Sequence, residues 1–310
     1  MSIAFQTLDS LPAGVAHAAV MSAFRPFFCT ATRTAEGARQ LRIIRWNAAK
    51  RAARRALGGS GERATRNRQM IAGEYEGAWA RGFAAYDLSA GCRKPEPWVD
   101  RGARFIADRA GVPRFRNVIL AAVIEALKPR RVLEVGCGNG INLLLLAGQF
   151  PDVSFSGLEL TESGHRVARA LQQEEALPPP LAAYPVTAAR DAQAFRRIGF
   201  IRGDATAMPF ADGEFDLVVT VLAVEQMERV RARALAEISR VSSGHVLNME
   251  PFAEANRSLL RRAHVFGRDY VRGEIPELAR YGLRPLWATM DFPQEPHLGA
   301  ALVLSRKNRG

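Results

Sequence analysis

Residues 132–146 read VLEVGCGNGINLLLL. An apolar run carries one acid, Glu134, and runs into three glycines at alternate positions, Gly136, Gly138 and Gly140, before a second apolar run begins. Val132, Leu133 and Val135 predict a strand over about 131–135, the glycines a tight turn, and the leucines a helix over about 139–149. A strand, a glycine turn and a helix in that order open a parallel sheet, whose ligands sit outside the carboxyl ends of the strands where the strand order reverses. Gly136, Gly138 and Gly140 would let a ligand approach the main chain, and a helix starting near Asn139 would offer free N–H groups.

Two patterns limit what that ligand is. A phosphate-cradling loop ends in Gly-Lys-Ser/Thr, and no lysine or hydroxyl residue stands here. A dinucleotide fingerprint needs G-x-G-x-x-G, yet the sixth position counted from Gly136 is Ile141, and Glu134 places negative charge where a pyrophosphate needs the opposite. The expected ligand is therefore cationic or zwitterionic. S-adenosylmethionine, with a sulfonium and an ammonium group, meets that requirement.

Outward from the turn, short apolar runs alternate with helical ones. Strands are predicted at about 131–135, 153–159, 199–203, 215–221, 244–249, 284–290 and 299–305, and helices at 139–149, 162–174, 229–241 and 253–263. The alternation gives an α/β fold: a Rossmann-like, doubly wound, mostly parallel seven-stranded sheet with helices on both faces. A further apolar helix is expected at 115–127, after Pro95, Pro97 and Pro113 break the chain. The Pro-rich stretch 175–197 reads as an insertion near the ligand edge. The division expected is a basic, flexible leader (1–69), an N-terminal helical cap (70–128), and a ligand-binding domain (129–310).

The motifs in order resemble the class I S-adenosylmethionine-dependent methyltransferases, in their small-molecule, type 11-like branch. VLEVGCGNG is similar to the family's first motif, E/D-x-G-x-G-x-G. VSFSGLELT ends its strand in Glu159, where the resemblance implies an acid on the ribose hydroxyls. GFIRGDATAMPFADGEFDLVVTVLAVEQM resembles the third and fourth motifs, and ALAEISRV the helix before the fifth strand. The resemblance implies S-adenosyl-L-methionine as cofactor, held by Glu134, Gly136, Cys137, Gly138, Asn139, Gly140, Glu159, Leu160, Asp204, Ala205 and Val221, with Asp204 on the adenine amino group. Each acid has a plainer role open to it: Glu134 or Asp204 could cap a helix, and Glu159 could be a solvated strand end. Relatives often carry Glu-His where this chain has Glu225 and Gln226, which are the catalytic candidates. Asn248 lacks the N-P-P-Y/F context of adenine- and glutamine-methylating relatives.

Methyl transfer is an in-line displacement that chiefly needs donor and acceptor aligned away from water. The acceptor is expected to be small or lipid-like, methylated at oxygen or nitrogen. Tyr75, Trp79, Phe83 and Tyr86 recur at helical spacing as one aromatic face; Tyr75, Trp79 and Glu250 are the substrate candidates, and His264 and His297 stand isolated. Segments 75–86, 175–197 and 264–275 are expected to form the lid.

The formal net charge of +12 is uneven: residues 1–69 hold +9 and the rest +3. Residues 38–57 could form a basic helix, drawn to anionic lipid or to RNA, or stay solvated; Met70 is an alternative start. Two other function classes stay open, an RNA or protein methyltransferase using the basic arm and a noncatalytic S-adenosylmethionine-binding module. The first 28 residues lack the charged start and unbroken apolar core of a secretory signal, and no run reaches the roughly 20 apolar residues that span a bilayer. Cys29, Cys92 and Cys137 form an odd set without C-x-x-C spacing, which argues against disulfides and zinc and fits a reducing cytoplasm.

Overall fold

A computed structural model describes residues 3–11, 14–30, 34–57, 68–79 and 82–308. Strands β1 (Pro95–Asp100) and β2 (Ala103–Asp108) form an antiparallel hairpin. The other seven, β3 (Arg131–Val135), β4 (Ser154–Glu159), β5 (Gly199–Arg202), β6 (Phe215–Val221), β7 (Ser242–Glu250), β8 (Leu283–Thr289) and β9 (Ala301–Lys307), make one sheet in the order β5-β4-β3-β6-β7-β9-β8. β5 through β7 pair in parallel, and β9 runs antiparallel between β7 and β8. All seven strands of the sheet fall where the sequence predicts them. The order reverses between β3 and β6, so the crevice lies above those two strands.

The helices are α1 (His17–Phe24), α2 (Thr34–Ala56), α3 (Arg68–Trp79), α4 (Val112–Leu127), α5 (Ile141–Gln149), α6 (Glu162–Leu171), α7 (Pro179–Ala182), α8 (Arg231–Val241) and α9 (Leu259–Arg268). Alternation along β3 sorts them into two layers. Leu133 and Val135 join a core with Ala234, Leu235 and Ile238 of α8, while Val132 points the other way, into a core with Ile119 and Leu120 of α4 and Leu143 and Leu144 of α5. Glu134 shares the side of Val132, which delivers a carboxylate to the α4–α5 layer.

Three expectations fail in the N-terminal part. Over residues 6–29 the leader is packed instead of forming a flexible arm: Leu8, Val20, Phe24 and Phe27 are fully buried in the α4–α5 core, the Gln6 amide donates to the Ala288 carbonyl at 2.8 Å, and Cys29 N donates to Ile106 O at 2.9 Å. Each such large apolar side chain contributes about 1.5–3 kcal/mol, enough to fix a segment that composition alone marked as solvated. Residues upstream of Met70 therefore share one core with those downstream, although 58–67 lie outside the described residues. Second, Cys29 and Cys92 are joined in a disulfide, Cα–Cα 5.0 Å, and Cys137 alone is free and buried. An odd cysteine count says nothing about which pair the fold brings together, and the cysteine argument for a reducing compartment falls with it. Third, Pro95 and Pro97 do not break the chain but sit in β1, a hairpin strand where a missing N–H is tolerated at the edge.

The aromatic face is also shorter than its spacing implies: α3 ends at Trp79, and Phe83 and Tyr86 lie beyond it. Residues 175–197 are not at the ligand edge. Tyr184 is buried against Phe27 and Tyr86, its hydroxyl donates to the Ala110 carbonyl, and Arg114 Nε donates to the Tyr184 carbonyl at 2.7 Å, so this stretch ties down the N-terminal segment. Among the described residues no helix is long and apolar enough to cross a membrane.

Candidate active site

One cavity of about 1220 Å³ opens over the carboxyl ends of β3, β4 and β6. It is roofed by α3, the β1–β2 hairpin, α9 and the 295–298 turn. Pockets for one small ligand occupy roughly 300–1,000 Å³, so this one has room for a donor and an acceptor side by side.

The glycine loop is its floor. Gly136, Gly138 and Gly140 have φ of +74°, +58° and +80°. A Cβ on Gly136 would lie 2.5 Å from the Ala223 Cβ, and one on Gly138 2.6 Å from the Trp79 ring. The loop offers few amides to a ligand. Gly136 N and Cys137 N donate to Leu158 O, Gly140 N to Cys137 O, and Gly138 N to Glu159 Oε2 at 2.8 Å. The helix begins at Ile141 rather than near Asn139, and Ile141 N already donates to Asn139 Oδ1. The expected free N–H groups at these positions are therefore spent on the protein, and the loop is a smooth floor instead of an anion nest. Gly136, Cys137 and Asn139 line the cavity; Gly138 lies beneath Trp79 and Gly140 against Phe200, so neither reaches the wall.

Glu134, Glu159 and Asp204 all face the cavity. Glu134 is 3% exposed; Oε1 accepts from Asn142 Nδ2 at 2.6 Å, and Oε2 has no hydrogen-bond partner. Burial pushes its carboxyl up to about 7 against the opposing pull of the Asn142 hydrogen bond and the Arg116 charge. An orphaned carboxylate oxygen in a cavity wall lacks a donor, and an ammonium or sulfonium supplies the missing charge. Glu159 braces the floor: Oε1 accepts from Thr161 N at 2.9 Å and Oε2 from Gly138 N, and Oε2 keeps a second lone pair for a ligand hydroxyl. Asp204 Oδ1 accepts from Thr206 N and Oγ1 at 2.9 Å, so it shapes the turn after β5 as well as facing the cavity. Leu160, Ala205 and Val221 complete the predicted wall.

Past β6, Leu222 takes the left-handed conformation (φ 51°), which costs a non-glycine residue about 1–2 kcal/mol, and its N–H donates to Met249 O. Glu250 enforces the turn that follows. It is 1% exposed and absent from the wall, its Oε1 accepting from Ala223 N and Val224 N and Oε2 from Glu225 N at 3.0–3.1 Å. Expected to meet substrate, it instead holds the loop from below; desolvation raises its carboxyl to about 7. The loop presents Glu225 and Gln226 to the cavity, where Gln226 Nε2 donates to Glu225 Oε1 and to Tyr75 Oη at 3.1 Å. Tyr75 and Trp79 stack at 6.0 Å and both line the cavity.

At the other end the fold assembles a cluster that spacing could not show. His264 of α9 and His297, 33 positions apart, meet edge to face at 4.5 Å. His297 Nε2 lies 3.1 Å from Glu295 Oε2, Nδ1 is buried without a partner, and Glu295 Oε1 takes Arg109 Nη1 at 2.8 Å. Desolvation holds both imidazoles neutral, His264 near 3 and His297 below its usual value. Arg116 joins them on the wall, its Nε buried and unpartnered. The acid two residues before His297 was the one local sign in the sequence.

Fold and site together define a Rossmann-like domain whose glycine floor has few amides left for a phosphate. Residues 133–247 match the family model described as a methyltransferase domain. Over this part the chain is similar to methyltransferase domains, and its motifs resemble those of the class that takes S-adenosylmethionine as methyl donor. It is similar to ajmaline N-methyltransferase of Rauvolfia serpentina, 28% identical over 116 residues, 37% of this chain and 33% of that protein. It is also similar to phthiotriol/phenolphthiotriol dimycocerosates methyltransferase 1 of Mycobacterium ulcerans (strain Agy99), 32% identical over 115 residues, 37% of this chain and 34% of that one. The matches thus span about a third of these relatives' length. Among solved structures the 4+2 cyclase SpnF shares the fold, with a TM-score of 0.50 and 17% identity over 79% of this chain and 98% of that one.

Proposed function

We propose that this protein transfers a methyl group from S-adenosylmethionine to an oxygen or nitrogen of a small-molecule or lipid-like acceptor. The observation that carries the reading is the orphaned, buried Glu134 oxygen beside a glycine floor with few N–H groups to give, in a cavity large enough for two ligands. Relatives named for an alkaloid and for a lipid support the acceptor class.

Glu134 would hold the donor's ammonium, Glu159 Oε2 its ribose, and Asp204 with Ala205 its adenine, with Leu160 and Val221 against the ring. The donor, when bound, supplies an electrophilic methyl on a sulfonium. Tyr75 and Trp79 cover the floor and keep water out. His297 serves as base better than Glu225 or Gln226: its neutral Nδ1 has a lone pair to take a proton, and Glu295 at Nε2 stabilises the imidazolium that forms. His297 Nδ1 would take the proton that an acceptor oxygen or nitrogen gives up on methylation. Glu225 and Gln226 would then orient the acceptor.

The test is to incubate the protein with trideuteromethyl donor and fractionated cell extract and search for products heavier by one labelled methyl. Since the same fold in SpnF belongs to a cyclase, fold alone does not name the reaction. Donor binding without any labelled product across polar and lipid fractions would favour the noncatalytic alternative.

A further inference from the structure

The outer face of α2 is unlike the rest of the surface. Across its 23 residues, about 34 Å, the helix as a whole carries Arg39, Arg42, Arg45, Lys50, Arg51, Arg54 and Arg55 against one acid, Glu36. Its inner stripe is spoken for: Ala48 is buried, Arg51 abuts Gly267, and Arg55 pairs with Asp269 at 2.5 Å and lies over the Phe266 ring. At 100° per residue, Arg39, Ile43, Trp46, Lys50 and Leu57 fall together on the opposite side. There Trp46 is 70% exposed, Ile43 41% and Leu57 85%.

We propose that this face of α2 docks on the surface of an anionic phospholipid bilayer. Charge complementarity selects the partner, because Arg39, Arg42, Arg45, Lys50 and Arg54 against Glu36 leave four net positive charges away from the inner stripe to meet a negative headgroup layer, each gaining several-fold in binding near such a surface. The apolar groups decide between a bilayer and RNA. Trp46 could serve either, but Ile43 and Leu57 offer nucleic acid neither a stacking plane nor a hydrogen bond, whereas they can enter the headgroup boundary. Placement gives the contact a use. α2 lies on α9, which lines the cavity with His264 and Arg268, so docking would hold the cavity two helix layers from the lipid. The surface argument stands without the methyl-transfer reading; a lipid-like acceptor would add a reason for it.

The experiment is flotation of the full chain with vesicles of phosphatidylcholine alone and with one-quarter phosphatidylserine, at 0.1 M and 1 M salt. Binding at least tenfold stronger to the anionic vesicles, lost at 1 M salt, is expected. Trp46 should be quenched by brominated acyl chains, a signal that Trp46→Phe removes. The Ile43→Ser/Trp46→Ser double variant and Arg42→Gln/Arg45→Gln, all exposed positions, should each lower binding at least fivefold with unchanged circular dichroism. Equal binding to both vesicles, retention by the double variant, or displacement by single-stranded RNA but not by anionic vesicles would overturn the proposal.

Discussion

Replacing Glu134 by Gln removes one charge from the cavity floor and leaves its shape. The carboxyl sits near 7 in the folded chain against an ordinary 4.5, so its ionisation is opposed by about 3 kcal/mol, at 1.36 kcal/mol for each tenfold change in the ionisation constant. The sign follows from the raised value: below pH 4.5 the group is protonated in both states and the penalty is absent. It grows between pH 4.5 and 7 and is constant above. Glu134→Gln should therefore melt with its parent at pH 4.5 and above it at pH 8, by roughly 1–3 kcal/mol once the Asn142 contact has adjusted, or a few degrees for a chain of this size. Glu250 titrates in the same range but is common to both proteins, so the difference belongs to position 134. Scanning fluorimetry from pH 4.5 to 8 measures it, and calorimetry at pH 8 should show the donor bound at least tenfold more weakly. A variant no more stable than its parent at pH 8, with donor affinity intact, would refute the idea that Glu134 is a strained anion awaiting a cation.

Asp204→Ala and Glu159→Ala should each weaken donor binding by roughly 1–3 kcal/mol if they bond adenine and ribose; unchanged calorimetric affinity withdraws the assignment. Gly138→Ala forces a left-handed alanine against the Trp79 ring and should destabilise the fold by about 1–3 kcal/mol and shift tryptophan fluorescence. Phe27→Ala should cost about 3–5 kcal/mol in denaturant titration, whereas a solvated leader would register nothing. Reduction of the Cys29–Cys92 bond, which closes 63 positions of chain, should lower stability by about 2–4 kcal/mol, read as a melting shift between oxidised and reduced protein.

The sheet was legible because its strands are short apolar runs, four of them (β3, β4, β5 and β7) ended by glycine, proline or an acid, and because parallel order follows from helices between them. The floor was legible because three glycines after one acid leave few physical uses. Much of the rest depends on contacts across long sequence separation. Nothing local says that Phe24 and Phe27 fill a core more than 80 residues away in sequence, that Cys29 meets Cys92, or that Glu250 lies below the floor instead of in it. His264 and His297 read as isolated because α9 and the 295–298 turn meet only after the sheet is built. The glycine loop was half read: its bareness was visible, but that Gly136, Cys137 and Gly138 spend their amides on Leu158 and Glu159 was not.

The central claim is that the cavity selects a sulfonium nucleoside over a phosphorylated one, and titration calorimetry addresses it most directly. Titrated one at a time, S-adenosylmethionine and S-adenosylhomocysteine should give saturable heats, while ATP and NAD give none at the same concentrations. Uptake of ATP or NAD with no response to the methyl donor or its product would contradict the account.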